Sequence, residues 1–404
     1  MSELPLSGVR IADFTWFGAG PMGTRPLAHY GAEVIVIEST TRGGLRHSPP
    51  FRDNKPGLNL SGFFNNFNSG KLSITLNMNH PDGVDLAKRL IRVSDVVVNN
   101  FSPGIMDRWG LSYEAVREIN PAIIMAEMPV GGRTGPYKSM IGFGATIEAF
   151  AGLNHLTGYP DRPPTGTEIN YPDYASNPYH LLFAILAALH YRNTTGKGQY
   201  IEVAQLESTV SVMETNILDY TVNGNVQMRA GNRVPYAAPH NTYRCQGDDR
   251  WCAIAVTSEE EWRSFGQALG GPDWTKDPRF ASLSDRKRLE DELDQLVEQW
   301  TLTHSPEEVM TQLQTAGVPA GVVQDIADMV DQDPQLRERG FYVPLEHAEA
   351  GTALYDGLVA RLSDTPGAIS RPAPLLGEHN EYFRELLGLS EEELDQLIVA
   401  EVIH

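Results

Sequence analysis

The stretch VRIADFTWFGAGPMGTRPLAHYGAEVIVIE, residues 9–38, places two short apolar runs on either side of a glycine-rich segment. VRIADF (9–14) and EVIVIE (33–38) are rich in β-branched residues and predict strands that are covered on both faces. Between them we expect a short helix that begins near Thr24 and ends at Gly31. A strand, a helix and a second strand in this order predict the first unit of an α/β domain with a doubly wound sheet.

Within this stretch, GAGPMG (18–23) has the spacing G-x-G-x-x-G, and Glu38 lies twenty positions after the first glycine, as in dinucleotide-binding sites. Two features disfavour an NAD site. The residues FTWF (14–17) separate the first strand from Gly18, and Pro21 removes a backbone N–H that could bind phosphate. We therefore interpret the glycines as a loop that closely approaches a different ligand. NAD binding and a purely structural role are the alternatives.

Strand and helix patterns continue to alternate along the first half of the chain. Apolar runs predict four more strands, at LSITLNM (72–78), DVVVNN (95–100), AIIMAEM (122–128) and GQYIEV (198–203). HPDGVDLAKRLIRV (80–93) predicts a helix with Pro81 in its first turn. PYHLLFAILAALHYRN (178–193) predicts a long apolar helix, which we expect to be fully buried.

A smaller α+β domain is expected after this block. Periodicity is lost around 225–245, which is typical of a linker or a functional loop, and a hairpin that turns at 247–249 follows. Three capping boxes begin helices: Ser258 with Glu261, Ser305 with Glu308, and Ser390 with Glu393. We expect a large domain over 1–224, a linker and small domain over 225–335, and a return linker with C-terminal helices over 336–404.

The composition limits the possible partners. The formal net charge is −20 and no long basic run offsets it, which disfavours nucleic acid and anionic membranes. No apolar run reaches about 18 residues and the first residues lack a signal pattern, so we expect a cytoplasmic protein without a membrane span. Cys245 and Cys252 alone do not make a closed zinc site, so we expect reduced thiols and no metal.

Seven segments point to a known family. They are LSGVRIADFTWFGAGPMGTRPLAHYGAEVIVIE (6–38), NFNSGKLSITLN (66–77), VVVNNFSPGIMDRWGLSYE (96–114), NPAIIMAEMPVGGRTGPY (120–137), PDYASNPYHLLFAILAALHYRNTTGKGQYIEVAQLES (172–208), AGNRVPYAAPHNTYRCQGDDRWCAIAV (230–256) and PLLGEHNEY (374–382). In this order they resemble the class III CoA-transferases, the family that includes formyl-CoA transferase and carnitine CoA-transferase. NNFNSGKLSITLNMNHP (65–81) is also similar to subunits of succinyl-CoA:benzylsuccinate CoA-transferase. The resemblance implies an interlocked dimer whose large Rossmann-like domain is completed by the C-terminus.

The resemblance places the catalytic carboxylate at Asp173, ahead of the long apolar helix. The residues alone agree, because an aspartate at this point is expected where water is scarce. With an ordinary pKa it would be ionised at pH 7 and could act as a nucleophile without a separate base. The alternative is a helix N-cap, but Ser176 and Asn177 lie closer to the start of the helix.

The chemistry that the resemblance implies is covalent, with CoA as substrate and product and with no NAD, metal or ATP. Asp173 would form a mixed anhydride with the acyl group of an acyl-CoA such as succinyl-CoA, and then a thioester with CoA. A small carboxylic acid would accept the CoA by the reverse sequence. Backbone N–H groups at Gly18 and Ala19, or in the loop at Pro239, His240 and Asn241, would stabilise the oxyanions.

Residues for binding CoA follow from the same resemblance. The candidates are Lys71, Asn100, Phe101, Arg108, Arg42 and Lys138. The cations would bind phosphates and Phe101 would stack on adenine, whereas a solvated surface charge is the alternative for each cation.

The acyl pocket is expected to be aromatic, and it would suit a bulky or aromatic acid better than formate or oxalate. Its candidates are Trp16, Phe17, Tyr137, Phe143, Tyr171 and Tyr174, together with His240, which is either a donor to the substrate or a polar loop residue. Racemases that resemble this chain have a histidine where this sequence has Phe143, so a racemase lacks its second acid/base here. The other alternative is a catalytically silent CoA-binding subunit of a heteromeric CoA-transferase. The partner chain is accordingly expected to be a second copy in a homodimer or a homologous subunit in a heteromer.

Overall fold

The computed structural model describes residues 4–40 and 44–404. The strands are β1 (Arg10–Asp13), β2 (Glu33–Glu38), β3 (Leu72–Thr75), β4 (Val96–Asn99), β5 (Ile124–Glu127), β6 (Tyr200–Glu202), β7 (His240–Arg244), β8 (Trp251–Ala255), β9 (Ala320–Val322), β10 (Tyr342–His347) and β11 (Gly351–Asp356). The helices of the first half are α1 (Ala19–His29), α2 (Gly62–Phe67), α3 (Pro81–Arg92), α4 (Ile105–Arg108), α5 (Tyr113–Ile119), α6 (Gly144–Ala151), α7 (Leu153–Leu156), α8 (Asn177–Thr195), α9 (Gln205–Val210) and α10 (Glu214–Asn223). The second half contains α11 (Glu259–Ala268), α12 (Leu283–Arg288), α13 (Glu290–Thr301), α14 (Pro306–Thr315), α15 (Pro334–Glu338), α16 (Asn380–Leu387) and α17 (Glu391–Val399).

The main sheet has six parallel strands in the order β3-β2-β1-β4-β5-β6. This is the order of a dinucleotide-binding Rossmann sheet, and the predicted doubly wound α/β fold is confirmed. Apolar side chains cover both faces, as the β-branched strands require. Leu90 of α3 and Phe383 of α16 belong to the core on one face, and Leu27 of α1 and Ile185 of α8 belong to the core on the other.

Helix α1 begins earlier than expected, at Ala19 rather than near Thr24. Gly20 and Gly23 therefore lie inside the helix. A Cβ added at Gly20 would be 2.4 Å from the Cβ of Thr15, and one added at Gly23 would be 3.2 Å from the carbonyl oxygen of Pro178. The interpretation of GAGPMG as a loop is thus wrong, because the glycines let α1 pack closely against its neighbours.

Helix α8 is not fully buried, which corrects another expectation. Leu181 and Ile185 are completely buried against the sheet, whereas Phe183 is 74% exposed and Leu186 is 40% exposed. The helix therefore presents an apolar face outward as well as inward. A continuous apolar sequence could not reveal this difference, because both faces have the same composition.

The chain divides into two compact units. The first consists of Met1–His155, Thr165–Gln227 and Arg337–His404, and the second of Leu156–Pro164 and Met228–Leu336. In the first unit, the β10–β11 hairpin has no counterpart in the sequence analysis. The tail returns to the main sheet, where the backbone N–H of His404 donates to Thr75 Oγ1 over 3.0 Å.

The second unit is built on the three-stranded sheet β7-β8-β9. Helices α11, α13 and α14 contribute Phe265, Leu293 and Leu313 to its core. The predicted hairpin is present, with β7 paired antiparallel to β8. All three predicted capping boxes are also present, at Ser258, Ser305 and Ser390, the last of them in the first unit.

Candidate active site

Asp173 lies in a single π-helical turn, Pro172–Ser176, that runs directly into α8. Its side chain is buried, with 6% of the residue exposed, and its Oδ2 accepts a hydrogen bond of 3.0 Å from the backbone N–H of Gly144. Neither Ser176 nor Asp173 caps α8 through its side chain, so the N-cap alternative is not what the structure shows. Short π-helical turns often occur at functional sites, and this one turns the carboxylate toward α6.

Two helix N-termini lie beside this carboxylate. Gly144 is the first residue of α6, and Gly18 immediately precedes α1. A Cβ added at Gly18 would be 3.4 Å from the Cβ of Asp173 and 3.1 Å from Cε1 of Tyr174, so the start of α1 lies directly beside the carboxylate. The first N–H groups of a helix lack partners within the helix, and their partial positive charge stabilises an anion.

Burial raises the pKa of Asp173 to about 6, and the negative charge of Glu148 also acts to raise it. Hydrogen bonds from Gly144 and Asn177 oppose this shift. The expectation of an ordinary pKa is therefore wrong. The carboxylate is still mainly ionised at pH 7, but it is poorly hydrated, and a poorly hydrated anion is a better nucleophile.

Glu148 was missed in the sequence analysis. It lies on α6, is 2% exposed, and accepts hydrogen bonds from the hydroxyl and the backbone N–H of Thr167 at 2.7 and 3.3 Å. A signal was present in the sequence, because Glu148 is a single charged residue in the otherwise uncharged stretch GFGATIEAFAGL (142–153). Buried carboxylates are rare unless they are bonded, which makes such a residue a candidate for a specific role.

A cavity of about 170 Å³ adjoins Asp173. It brings together eight of the predicted residues: Trp16, Phe17, Gly18, Ala19, Asn100, Phe101, Phe143 and Asp173. Its other lining residues were not predicted: Ser102, Val130, Ile141, Gly142 and Gln205. Besides the carboxylate, the lining has three polar side chains, those of Asn100, Ser102 and Gln205, and the rest is apolar or aromatic.

Asn100 shapes the aromatic side of the cavity. Its side-chain amide accepts a hydrogen bond from the N–H of Trp16 and donates one to the carbonyl of Trp16, both over 2.7 Å. Phe17 follows with φ at +57°, a conformation that is uncommon for residues other than glycine. The ring of Trp16 meets that of Phe101 edge to face at 5.7 Å. Asn100 therefore fixes the backbone that positions Trp16 and Phe17.

Four of the predicted substrate-pocket residues lie elsewhere. Tyr137 is exposed and packs on Phe150, with ring centroids 5.0 Å apart. Tyr171 precedes the π-helical turn and does not belong to the cavity lining. Tyr174 packs instead against two phenylalanines. His240 lies in the second unit, where its Nδ1 is 2.5 Å from the carbonyl oxygen of Asn232.

Lys71 is not placed to bind a CoA phosphate, which corrects its predicted role. Its side chain is completely buried, and burial lowers its pKa to about 8. Its Nζ lies within hydrogen-bond distance of Asp13 Oδ2, Thr24 Oγ1, the carbonyl of Pro21 and Asn68 Oδ1. These contacts tie α1 to β1 from inside the protein.

The other predicted cations differ in position. Arg108 and Lys138 are exposed and thus accessible to a phosphate, whereas Arg42 lies outside the described residues. Arg46, four positions after Arg42, is fully buried and donates from Nε and Nη2 to Glu38, each over 2.8 Å. Glu38 also accepts a hydrogen bond from Ser73, so the carboxylate that would bind ribose in an NAD site is already engaged.

Both cysteines lie in the second unit. Cys245 and Cys252 are free and buried, and burial raises their pKa values to about 11 and about 12. Over residues 4–40 and 44–404, no group of three or more His, Cys, Asp and Glu side chains could hold a metal ion. No helix in the same part of the chain is long and apolar enough to span a membrane.

Comparison with known proteins shows the family to which the chain belongs. A family model described as CoA-transferase family III matches residues 6–380, and the chain belongs to this family. The succinyl-CoA--D-citramalate CoA-transferase of Chloroflexus aurantiacus is 35% identical, over 99% of this chain and 98% of the relative. The alpha subunit of succinyl-CoA--L-malate CoA-transferase, from the same species, is 31% identical over 99% of this chain and 93% of that subunit. The solved structure of a CAIB/BAIF family protein from Brucella suis superposes with a TM-score of 0.86 and 30% identity, over 96% of this chain and all of that one.

Proposed function

We propose that this CoA-transferase moves CoA from succinyl-CoA to a carboxylic acid, with Asp173 as the nucleophile. The observation that carries the proposal is a buried carboxylate, with its pKa raised to about 6, that accepts a hydrogen bond from Gly144 at the wall of a cavity. The donor is proposed from the names of the two similar Chloroflexus proteins, both of which act with succinyl-CoA.

The first half of the reaction transfers the acyl group and then CoA to the enzyme. One carboxylate oxygen of Asp173 attacks the thioester carbonyl of the donor, the C–S bond breaks, and a mixed anhydride and CoA thiolate result. The thiolate then attacks the aspartyl carbonyl of the anhydride. The donor leaves as its free carboxylate, and Asp173 holds CoA as a thioester.

The second half repeats these steps in the opposite direction. The carboxylate of the acceptor attacks the aspartyl thioester, which releases CoA thiolate and forms a new anhydride. The thiolate then attacks the acceptor side of this anhydride. The products are the acceptor's CoA thioester and the free carboxylate of Asp173, so one thioester is exchanged for another.

Because the N–H of Gly144 donates to Asp173 Oδ2, it is suited to stabilise the oxyanions that form when the aspartyl carbonyl is attacked. If the other carboxylate oxygen carries the new bond, Oδ2 becomes the oxygen on which negative charge develops, and the N–H of Gly144 already lies 3.0 Å from it. Gly18 and Ala19 line the same cavity at the start of α1, and their N–H groups would serve the oxyanion on the acyl side.

CoA itself carries several negative charges, and we propose that Arg108 and Lys138 meet its phosphates. Both side chains are exposed in the unit that holds Asp173. Phe101, half-buried in the cavity wall, is proposed to contact CoA through its ring, and Asn100 acts through the backbone of Trp16. The buried Lys71 is left out of this set.

The cavity lining supports an acceptor with an apolar or aromatic body. Trp16, Phe17 and Phe143 line it, and no lysine, arginine or histidine lines it among the residues that the structure describes. A second carboxylate, whether on a dicarboxylic acceptor or on the succinyl group of the donor, would need a cation from outside this set. An aromatic monocarboxylic acid needs no such partner.

Exposed apolar side chains on two helices of the first unit support assembly with a second chain. They lie on α8 and α10 and are Tyr179, Phe183, Leu186, Ile217, Leu218, Tyr220 and Val222. Apolar patches of this kind mark protein interfaces. We propose the interlocked dimer of the family, either with a second copy or with a homologous subunit. We also propose a cytoplasmic location, which suits two reduced, buried thiols.

The second candidate function is a silent subunit, which is favoured by the similarity to a protein named as an alpha subunit. The decisive experiment is mass spectrometry of the full-length protein after incubation with succinyl-CoA. Transfer predicts a covalent CoA thioester at Asp173, which hydroxylamine converts into an aspartyl hydroxamate with release of CoA. Neither product should form in Asp173→Ala. A wild-type chain that binds CoA but never forms the adduct would instead be the silent subunit. Product analysis with a panel of acids then identifies the acceptor.

A further inference from the structure

Glu148 has no part in the chemistry proposed above, yet it is buried on the helix that binds the nucleophile. It lies one helical turn after Gly144, so both residues are on the same side of α6. Thr167 donates to its two carboxylate oxygens, from the hydroxyl over 2.7 Å and from the backbone N–H over 3.3 Å. Both oxygens are thus bonded to one residue of the segment that leads to Asp173.

Two further contacts bind that segment to the start of α6. The N–H of Ala145 donates to Asn170 Oδ1 over 3.1 Å, and the N–H of Gly144 donates to Asp173 Oδ2 over 3.0 Å. The segment contains two residues with positive φ, Glu168 at +69° and Asn170 at +50°. Such conformations persist only where surrounding contacts hold them. The Glu148–Thr167 contact is part-buried and is the one in this set whose segment residue lies farthest in sequence from Asp173.

We propose that Glu148 is a positioning residue for the nucleophile, which holds Thr167 to α6 and thereby keeps the carboxylate of Asp173 against the N–H of Gly144. The proposal rests on the proposed role of Asp173 in CoA transfer. Positioning of this kind matters because a misplacement of about 1 Å at a reacting group can slow a reaction by about 100-fold.

The charge of Glu148 provides a second test of this residue, through its effect on the pKa of Asp173. The π-helical turn packs against α1, α6, α8 and α9. Charged and titratable groups on these elements are Arg25 and His29 on α1, Glu148 on α6, Tyr179, His180, His190, Tyr191 and Arg192 on α8, and Glu207 on α9, with Tyr174 on the turn itself. Among them, Glu148 contributes the charge that raises the pKa of Asp173. Removal of this charge should make Asp173 easier to ionise.

The test measures the rate of adduct formation at Asp173 in single turnovers of the full-length protein with succinyl-CoA, between pH 4.5 and pH 8. We expect Thr167→Val to slow it about tenfold, because the hydroxyl donor is lost, and Thr167→Ser to restore it to within about twofold. Glu148→Gln should move the acid limb of the profile to lower pH by about half a unit or more. Glu168→Gln is the matched control, because it removes the same charge from an exposed position in the same segment.

The outcomes separate this inference from the proposed function. A wild-type chain without the adduct would overturn both. If the wild type forms the adduct, equal rates and equal acid limbs in Glu148→Gln, Thr167→Val and the wild type would overturn only the positioning role. Failure of Thr167→Ser to restore the rate would also overturn it, since packing rather than the hydroxyl would then be responsible.

Discussion

A Cβ atom added to Gly144 would lie 2.3 Å from the Cβ of Asn170, which is far closer than two such atoms can approach. Gly144→Ala must therefore separate the start of α6 from the segment that carries Asp173. We expect adduct formation and kcat to fall at least tenfold, or about 1.4 kcal/mol in the barrier, because the hydrogen bond to Oδ2 is lost. Single-turnover mass spectrometry measures this effect.

Gly321→Ala provides the control for that variant. An added Cβ at Gly321 meets no atom within 4 Å, and the residue lies in the second unit. It should leave the rate unchanged. A Gly144→Ala enzyme with the wild-type rate would remove Gly144 from the proposed oxyanion site.

Ionisation of Asp173 should destabilise the fold. The pKa of this acid is about 6 in the folded chain, against an ordinary value of 3.8, so the folded state binds the proton more tightly than the unfolded state. The free energy of unfolding therefore falls as the pH rises from about 4 to about 6, and it stays lower above that. Asp173→Asn removes the buried charge. Its free energy of unfolding should exceed that of the wild type by about 3 kcal/mol at pH 8, but by little at pH 4.

Urea unfolding of Asp173→Asn and the wild type at both pH values tests this expectation. Asp219→Asn is the comparison, because Asp219 is only half-buried and its pKa is lowered by hydrogen bonds from neighbouring amides. The free energy of unfolding of Asp219→Asn at pH 8 should not exceed that of the wild type. Equal stability of Asp173→Asn and the wild type at pH 8 would contradict the desolvated state of the nucleophile.

Lys71 should stabilise the fold without binding CoA, whereas Arg108 should bind CoA and contribute little to stability. Lys71→Met leaves Asp13 charged and buried, and it should lower the free energy of unfolding by about 3–5 kcal/mol. Arg108→Met should change stability by less than about 0.5 kcal/mol, because the side chain is exposed, but it should weaken CoA binding. Thermal unfolding and CoA titration of both variants measure the two effects. Tight CoA binding by Arg108→Met together with loss of binding in folded Lys71→Met would reverse the assignment.

Phe143 is expected to select the acceptor. Its ring lines the cavity and is 61% exposed in this chain, so it is available for contact with a substrate. Phe143→Ala should lower kcat/KM about tenfold for an aromatic acid such as benzoate, because apolar contact area is lost. The value for acetate should change little, since acetate is too small to reach the ring. Equal losses for both acids would point to a structural effect instead.

Phe183 tests the proposed assembly. A charge among the exposed apolar side chains of α8 should oppose their burial, so Phe183→Glu should shift the dimer to monomer in light scattering after size exclusion. Val399→Glu is the control, because Val399 is 85% exposed on α17, which does not belong to the proposed contact. A wild-type chain that is monomeric alone would point to a homologous subunit as the partner.

The sequence predicted the fold well because its signals are local. Short β-branched runs specify β1, β2, β4 and β5, and side-chain capping boxes specify helix starts at single residues. The start of α1 was placed too late because two prolines and three glycines argue against a helix. Packing against Thr15 and Pro178 overrides that preference.

The site was predictable only where the family resemblance supplied a position. Asp173 and the aromatic residues of the first loop were found in this way, and they do share one cavity. Lys71 shows the limit of prediction from sequence, because the sequence does not distinguish a lysine that binds phosphate from one that pairs with a buried aspartate. Gly144 and Glu148 act through contacts with residues more than ten positions away, which no local pattern records.

Residues on the two sides of the cavity differ in how well they should tolerate substitution, because α1 is closely packed. Next to one wall, a Cβ added at Gly20 would lie 2.4 Å from the Cβ of Thr15, so almost any substitution there moves α1. On the other wall, Ile141 and Phe143 are 87% and 61% exposed, and nothing comparable confines their side chains. Natural divergence and laboratory evolution of new acid preferences should therefore accumulate at Ile141 and Phe143, while Gly20 stays invariant.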